Sequence, residues 1–254
     1  MTSDQPTPGT SVQYPPVAAE GHGRFPHIVG HRGASRDACE NTIRAFELAL
    51  EQGADGIELD VHGSSDGILV VHHDPAIRLD GPTSPLQPIA SLPTSVLTAH
   101  RMASGDTIPT LESVFELIGT RATVYVEVKG RGLEEEVARL LDRFPQVDSA
   151  VHAFDHRIPA RVRALRPQTP IGLLSTSYPL SLMSFLAGSG ARTLWQHVEQ
   201  IDEALVLEAH TLGVEIMAWT ANDTPHARQL AAWGVDGLCT DIPGVMRSAV
   251  YSAG

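Results

Sequence analysis

From residue 27 onward, short apolar runs of strand length alternate with segments whose apolar residues return every three or four positions. That alternation is the pattern of parallel βα units. HIVGH (27–31) predicts the first strand, and NTIRAFELALEQG (41–53) a helix. The helix carries Ile43, Phe46, Ala49 and Leu50 on one face, and Gly53 is placed to end it. GIELDV (56–61) predicts the second strand. The next apolar run, ILVVHH (68–73), begins too soon for a parallel crossover, which needs about a dozen residues. It follows the turn signal Asp66-Gly67 and so reads as an antiparallel hairpin arm beside the second strand.

Residues 75–109 break the pattern with six prolines, at 75, 82, 85, 88, 93 and 109. They predict a loop insertion with one short helix near 93–100. The alternation then resumes, with helices over 110–119, 132–144, 156–166, 179–190, 201–213 and 224–234. The intervening strands are 123–130, 150–154, 171–175, 193–197, 214–220 and 236–241. Without the hairpin arm this makes eight strands, the number that closes an α/β TIM (β/α)8 barrel. An open doubly wound sheet is the alternative, but no Gly-rich phosphate loop follows the first strand. Residues 1–26 are rich in Pro, Gly, Ser and Thr and lack an apolar period, so they read as a mobile arm. Residues 27–254 are then one barrel domain.

Composition narrows the function classes. The 254 residues are 42% apolar, enough for one large core. Eighteen Lys+Arg against thirty Asp+Glu leave a formal charge of −12, which would repel a nucleic-acid backbone or an anionic membrane. Cys39 and Cys239 are too few for a disulfide scaffold and have no zinc spacing. No secretory signal and no run of about 18 apolar residues is seen, so a soluble, cytoplasmic protein is expected. Nothing in the last segment, IPGVMRSAVYSAG, indicates an oligomeric state.

In such a barrel the C-terminal strand ends carry the chemistry. A period of two puts Glu58 and Asp60 on one face of the second strand, and Glu127 and Lys129 on one face of the 123–130 strand. Lys129 is the only lysine in the chain; every other basic residue is Arg. Three strand acids against Arg32 and Lys129 leave excess negative charge. Either a structural ion network absorbs it or a divalent cation does, and carboxylates without cysteine suit a hard ion, Mg2+ or Ca2+. His31 and His73 sit at separate strand ends, where two imidazoles serve as general base and general acid. By alternation His72 points away from His73, and His62 is the weaker candidate. Arg32 and Lys129 fit the holding of a phosphate.

The motifs HRG (31–33), ENT (40–42), IELDV (57–61), VVHHD (70–74), EVK (127–129), WTAN (219–222) and VDGLCTDIP (235–243) together resemble the glycerophosphodiester phosphodiesterases, over about 27–247. The resemblance implies a TIM barrel with one divalent ion, Mg2+ or Ca2+, held by Glu58, Asp60 and Glu127. It implies catalytic His31 and His73, phosphate contacts from Arg32 and Lys129, and Trp219 bordering the glycerol pocket. The implied activity is metal-dependent hydrolysis of a small-molecule glycerophosphodiester to glycerol 3-phosphate and an alcohol. A phospholipase D-type enzyme on lysophospholipids and a non-catalytic phosphodiester-binding protein are the alternatives. The chain departs from the family in AIRLDGPTSP (76–85), after the HD of 73–74, and in Ala153, where a serine is usual.

Overall fold

The structure, a computed structural model, describes residues 25–79 and 81–251. The expected mobile arm lies outside the described residues apart from Phe25 and Pro26. The strands are β1 (His27–His31), β2 (Gly56–Gly63), β3 (Leu69–Val71), β4 (Ala76–Ile77), β5 (Gln87–Pro88), β6 (Thr123–Val128), β7 (Ser149–Ala153), β8 (Ile171–Ser175), β9 (Thr193–His197), β10 (Glu215–Trp219) and β11 (Gly237–Thr240). The helices are α1 (Ile43–Glu51), α2 (Thr94–Ala99), α3 (Leu111–Ile118), α4 (Glu134–Arg143), α5 (Arg157–Leu165), α6 (Leu182–Leu186), α7 (Glu203–Thr211), α8 (Thr224–Trp233) and α9 (Pro243–Tyr251).

Eight strands close into a parallel barrel in the order β1-β11-β10-β9-β8-β7-β6-β2, with β2 returning to β1. β3 pairs antiparallel with the far end of β2, Val61 opposite Val71. This pairing extends β2 to Gly63, two residues past the expected end. A two-residue ladder, Ala76 opposite Pro88, gives the Pro-rich segment an order its sequence does not show. α6 is shorter than expected because only Leu182 and Leu186 bury against the core, and Ser181 caps it.

The alternation along each strand sorts side chains into two cores. Ile57, Leu59, Val124, Val126 and Val151 face outward onto helix residues such as Phe46 and Phe115. Around the other half, Leu173, Leu194, Ile216 and Leu238 do the same. The opposite face of each strand therefore fills the barrel, where Val29, Leu174, Trp195, Met217 and Cys239 pack together beside Tyr125. On β2, β6 and β7 those inward positions hold Glu58, Asp60, Glu127 and His152 instead. Local caps set the helices against this frame. Asp223 accepts from His226 N at the start of α8, Pro225 lies in its first turn, and Gly234 ends it in the left-handed region.

Candidate active site at the C-terminal strand ends

Four inward side chains at one barrel end are charged or titratable and almost fully buried: Glu58 (3% exposed), Asp60 (0%), Glu127 (8%) and His152 (1%). Strand register brings them together, since Asp60 pairs with Glu127 and Glu127 with His152. Two cations meet the acids. Lys129 Nζ lies 2.8 Å from Glu127 Oε1 and 3.3 Å from Asp60 Oδ1. Arg32 Nε lies 3.0 Å from Asp60 Oδ2, and its backbone N–H donates to Glu58 Oε2 at 3.1 Å.

Arg32 reaches these acids because the chain turns sharply after β1. Arg32 has φ 56° and Gly33 φ 84°. A Cβ at residue 33 would stand 2.6 Å from the Ala45 backbone, so only glycine fits against α1. Asn41, also left-handed at φ 57°, donates to Asp60 Oδ2 at 2.8 Å, and Glu40 accepts from Arg32 Nη1 at 2.9 Å. Asn41 therefore precedes α1 rather than opening it, and Thr42 caps the helix by accepting from Ala45 N. The Glu40-Asn41 pair thus fixes both the acid and the arginine.

Burial, with Asp60 and then Glu127 beside it, pushes Glu58 well above the usual carboxylate range. Burial and then Asp60 push Glu127 up as well, against Lys129. Burial also acts upward on Asp60, but Arg32, Lys129 and the Asn41 hydrogen bond together hold it below its ordinary value. Two carboxyls reluctant to ionise beside a third that is ionised are short of positive charge. One ligand atom each from Glu58, Glu127 and His152 lie within 4.8 Å of one another, a buried group that could hold a metal ion. Oxygen and imidazole donors of this kind fit a divalent cation.

The two expected proton-transfer residues differ in setting. His31 Nδ1 lies 2.7 Å from Asp241 Oδ1. Asp241 also accepts from Ser35 Oγ at 3.0 Å and Asn222 Nδ2 at 2.6 Å. Burial raises its pKa, but these partners, His31 first, bring it down to about 2. Asp241 is therefore ionised and accepts, and His31 Nδ1 donates. His73 is half-buried, and its Nδ1 donates to Asp74 Oδ1 at 2.9 Å. His62 Nε2 donates to the His73 carbonyl at 3.0 Å, so it holds the backbone of that loop. His72 Nδ1 donates to the Asp74 carbonyl at 3.0 Å. Trp219 ends β10, donates from Nε1 to the Trp195 carbonyl, and meets Phe154 and His197 edge-to-face at 5.5 and 5.3 Å.

Asp241 and His152 are the site residues that the sequence reading passed over. The signal for His152 was a single polar residue, in phase with Ala150, inside an otherwise apolar strand. Asp241 had only the motif TD after β11, with its partner 210 residues away. Cys39 and Cys239 are both free, and among the described residues no helix is long and apolar enough to cross a membrane.

A barrel of this order with acids, cations and imidazoles at its C-terminal end is a frame for phosphate-ester chemistry. The profile of the glycerophosphoryl diester phosphodiesterase family matches residues 31–245, and the chain belongs to that family. The Bacillus subtilis protein YhdW is 34% identical over 233 residues, covering 85% of this chain and 95% of its own. The glycerophosphodiester phosphodiesterase of Caldanaerobacter subterraneus subsp. tengcongensis is 32% identical over 242 residues, covering 89% and 98%. A phosphodiesterase of Oleispira antarctica, solved in complex with the product sn-glycerol-3-phosphate, superposes with a TM-score of 0.81 at 28% identity, covering 89% of this chain and 97% of its own.

Proposed function

We propose that this chain, from residue 27 on a single barrel domain, hydrolyses glycerophosphodiesters to glycerol 3-phosphate and an alcohol. His31 and His73 serve as the proton-transfer pair in this reading. The observation that carries it is the set of two cations and two imidazoles around a buried acid cluster at the strand ends. The Oleispira relative, with its bound product, supports the same substrate class.

His31 donates its Nδ1–H in a hydrogen bond to ionised Asp241, which fixes the tautomer with the lone pair on Nε2, the form of a general base. It takes the proton of the attacking hydroxyl, which belongs either to water, giving glycerol 3-phosphate directly, or to the glycerol 2-position, giving a cyclic phosphate that water then opens to glycerol 3-phosphate. The new P–O bond forms as the bond to the departing alcohol breaks, and His73 returns a proton to that oxygen. Arg32 and Lys129 hold the phosphate oxygens and offset charge that grows in the transition state. Trp219 borders the glycerol. Glu58, Asp60 and Glu127 would hold a divalent cation, and these carboxylates alone suit Mg2+ or Ca2+. Bound there, the cation would neutralise phosphate charge as a Lewis acid. The substrate is a water-soluble diester met in the cytoplasm.

Turnover of glycerophosphocholine and glycerophosphoethanolamine, measured in chelator and after metal is restored, tests the reading. Activity should vanish in chelator and return with a divalent cation, and His31→Ala should lower it by about 10²–10⁴-fold. Folded protein that cleaves neither diester with any metal overturns the reading. A lysophospholipid substrate is favoured by one observation: Tyr178, Leu180 and Met183 are exposed on the segment that follows β8, at the same barrel end. Faster cleavage of a lysophospholipid below its micelle concentration than of glycerophosphocholine would decide for it.

A further inference from the structure

We infer that His152 is a nitrogen ligand of the cation site, so that the site favours borderline cations such as Mn2+ and Co2+ over Mg2+ and Ca2+. This rests on the functional reading only in placing a cation at Glu58 and Glu127.

The imidazole is 1% exposed, yet Nδ1 has no hydrogen-bond partner. Its Nε2 lies 3.9 Å from Glu58 Oε1, beyond hydrogen-bond distance. Nε2, the nitrogen that faces Glu58, is therefore free to take a cation, and a cation there would give it a partner. Two ligands bonded at about 2.1 Å to one ion stand roughly 3 to 4.2 Å apart, and 3.9 Å falls within that span.

Packing fixes the ring in this pose. Trp195 stacks on it with centroids 4.3 Å apart and planes 6° apart. The stack exists because the neighbour of His152 on β8 is Gly172, where a Cβ would stand 2.8 Å from Trp195 Cδ1.

The remaining acid stands beside this set. Asp60 Oδ2 accepts from Asn41 and faces Arg32, while its buried Oδ1, 3.3 Å from Lys129 Nζ, makes no hydrogen bond and stays available to the cation. The set of ligand atoms that stand close together is Glu58, Glu127 and His152. Two carboxylates with one imidazole suit Mn2+, Co2+ or Zn2+ better than an all-oxygen set does.

The test loads metal-free protein with Mn2+ and reads nitrogen coupling by pulsed EPR, alongside calorimetric affinities for Mn2+ and Ca2+. Nitrogen coupling should appear in the wild type, persist in a His31→Asn, His73→Asn double variant, and vanish in His152→Gln. His152→Gln should lower Mn2+ affinity at least tenfold and shift Ca2+ affinity less. Absence of coupling in the wild type, its loss in the double variant, or its retention in His152→Gln overturns the assignment. The double variant carries the test if His152→Gln does not fold, because it leaves the buried ring untouched. Turnover by the same preparations is read separately. Wild type that binds Mn2+ through nitrogen but cleaves no diester overturns the functional reading and leaves His152 in place.

Discussion

The two halves of the barrel interior are built from opposite materials. Along β8, β9, β10 and β11 the inward positions are Leu174, Trp195, Met217 and Cys239, a packed apolar wall. Along β2, β6 and β7 the same positions hold Glu58, Asp60, Glu127 and His152, with Arg32 reaching over from β1. The fold is indifferent to the contrast, since both halves bury the same outward aliphatics under helices. What differs is electrostatic. The apolar wall keeps water away from one side of the charged half, so the carboxyls there are poorly solvated, and Glu58 and Glu127 hold their protons tightly while the cations keep Asp60 ionised.

Removing one charge from the acid half should give the largest effect. Glu58→Gln keeps the acceptor for Arg32 N–H but loses a charge that neutralises a bound cation. Turnover should fall by more than about 10³-fold, the kinetic equivalent of several kcal/mol. Stability should move the other way in chelator. Glu58 is raised in the folded state, so its contribution is present at low pH and lost as pH rises out of the ordinary carboxylate range. Glu58→Gln removes that loss and should raise the Tm of chelated protein near neutrality by roughly 2–4 °C per kcal/mol relieved. Thermal melts of both proteins across pH 4 to 8 check the sign.

Asp241→Asn should come next, because it leaves the acid cluster alone and disturbs only His31. Loss of the ionised acceptor frees the ring to take the wrong tautomer, and turnover should drop by about 10²-fold. Here the sign reverses. Asp241 is depressed to about 2, so the stability it gives is complete above the ordinary carboxylate pKa and is lost as pH falls from about 4 toward 2. Acid titration of stability should be shallower in Asp241→Asn across that window. An unchanged acid limb would show that the pair is not formed in solution.

Gly172→Ala probes the border between the halves and should act most gently. The added methyl would stand 2.5 Å from Thr193 Oγ1 and 2.8 Å from Trp195 Cδ1. Overpacking of this kind costs about 1–3 kcal/mol, or several degrees of Tm. Turnover should fall less than tenfold, while cation affinity drops as the stack on His152 shifts. Unaltered cation affinity would separate the wall from the site.

The same contrast explains what the chain reveals when read as letters. Alternation of charged and apolar residues in IELDV and VEVK is legible, because a period of two with acids on one face has few structural uses. Lys129 stands out for a similar reason. His152 is not legible, because one histidine among apolar residues looks like ordinary core until register places it beside Glu127. Asp241 escapes notice because its role depends on a strand at the other end of the chain. In the fold, the strands are readable from periodicity. The ladder of β4 and β5 is not, because two-residue pairings depend on contacts rather than on pattern.

The His31–Asp241 bond spans 210 residues and ties the first barrel strand to the segment just after the last. It lies on the seam where β1 meets β11, at the end of β1 opposite to that where Tyr251 reaches back to the Pro26 carbonyl. A chain still being synthesised holds His31 from early on but has no Asp241 to orient it. Seam contacts of such sequence separation form late, since the loop they close is nearly the whole molecule. Turnover during refolding is therefore a clock for ring closure, and should appear after helical signal has returned.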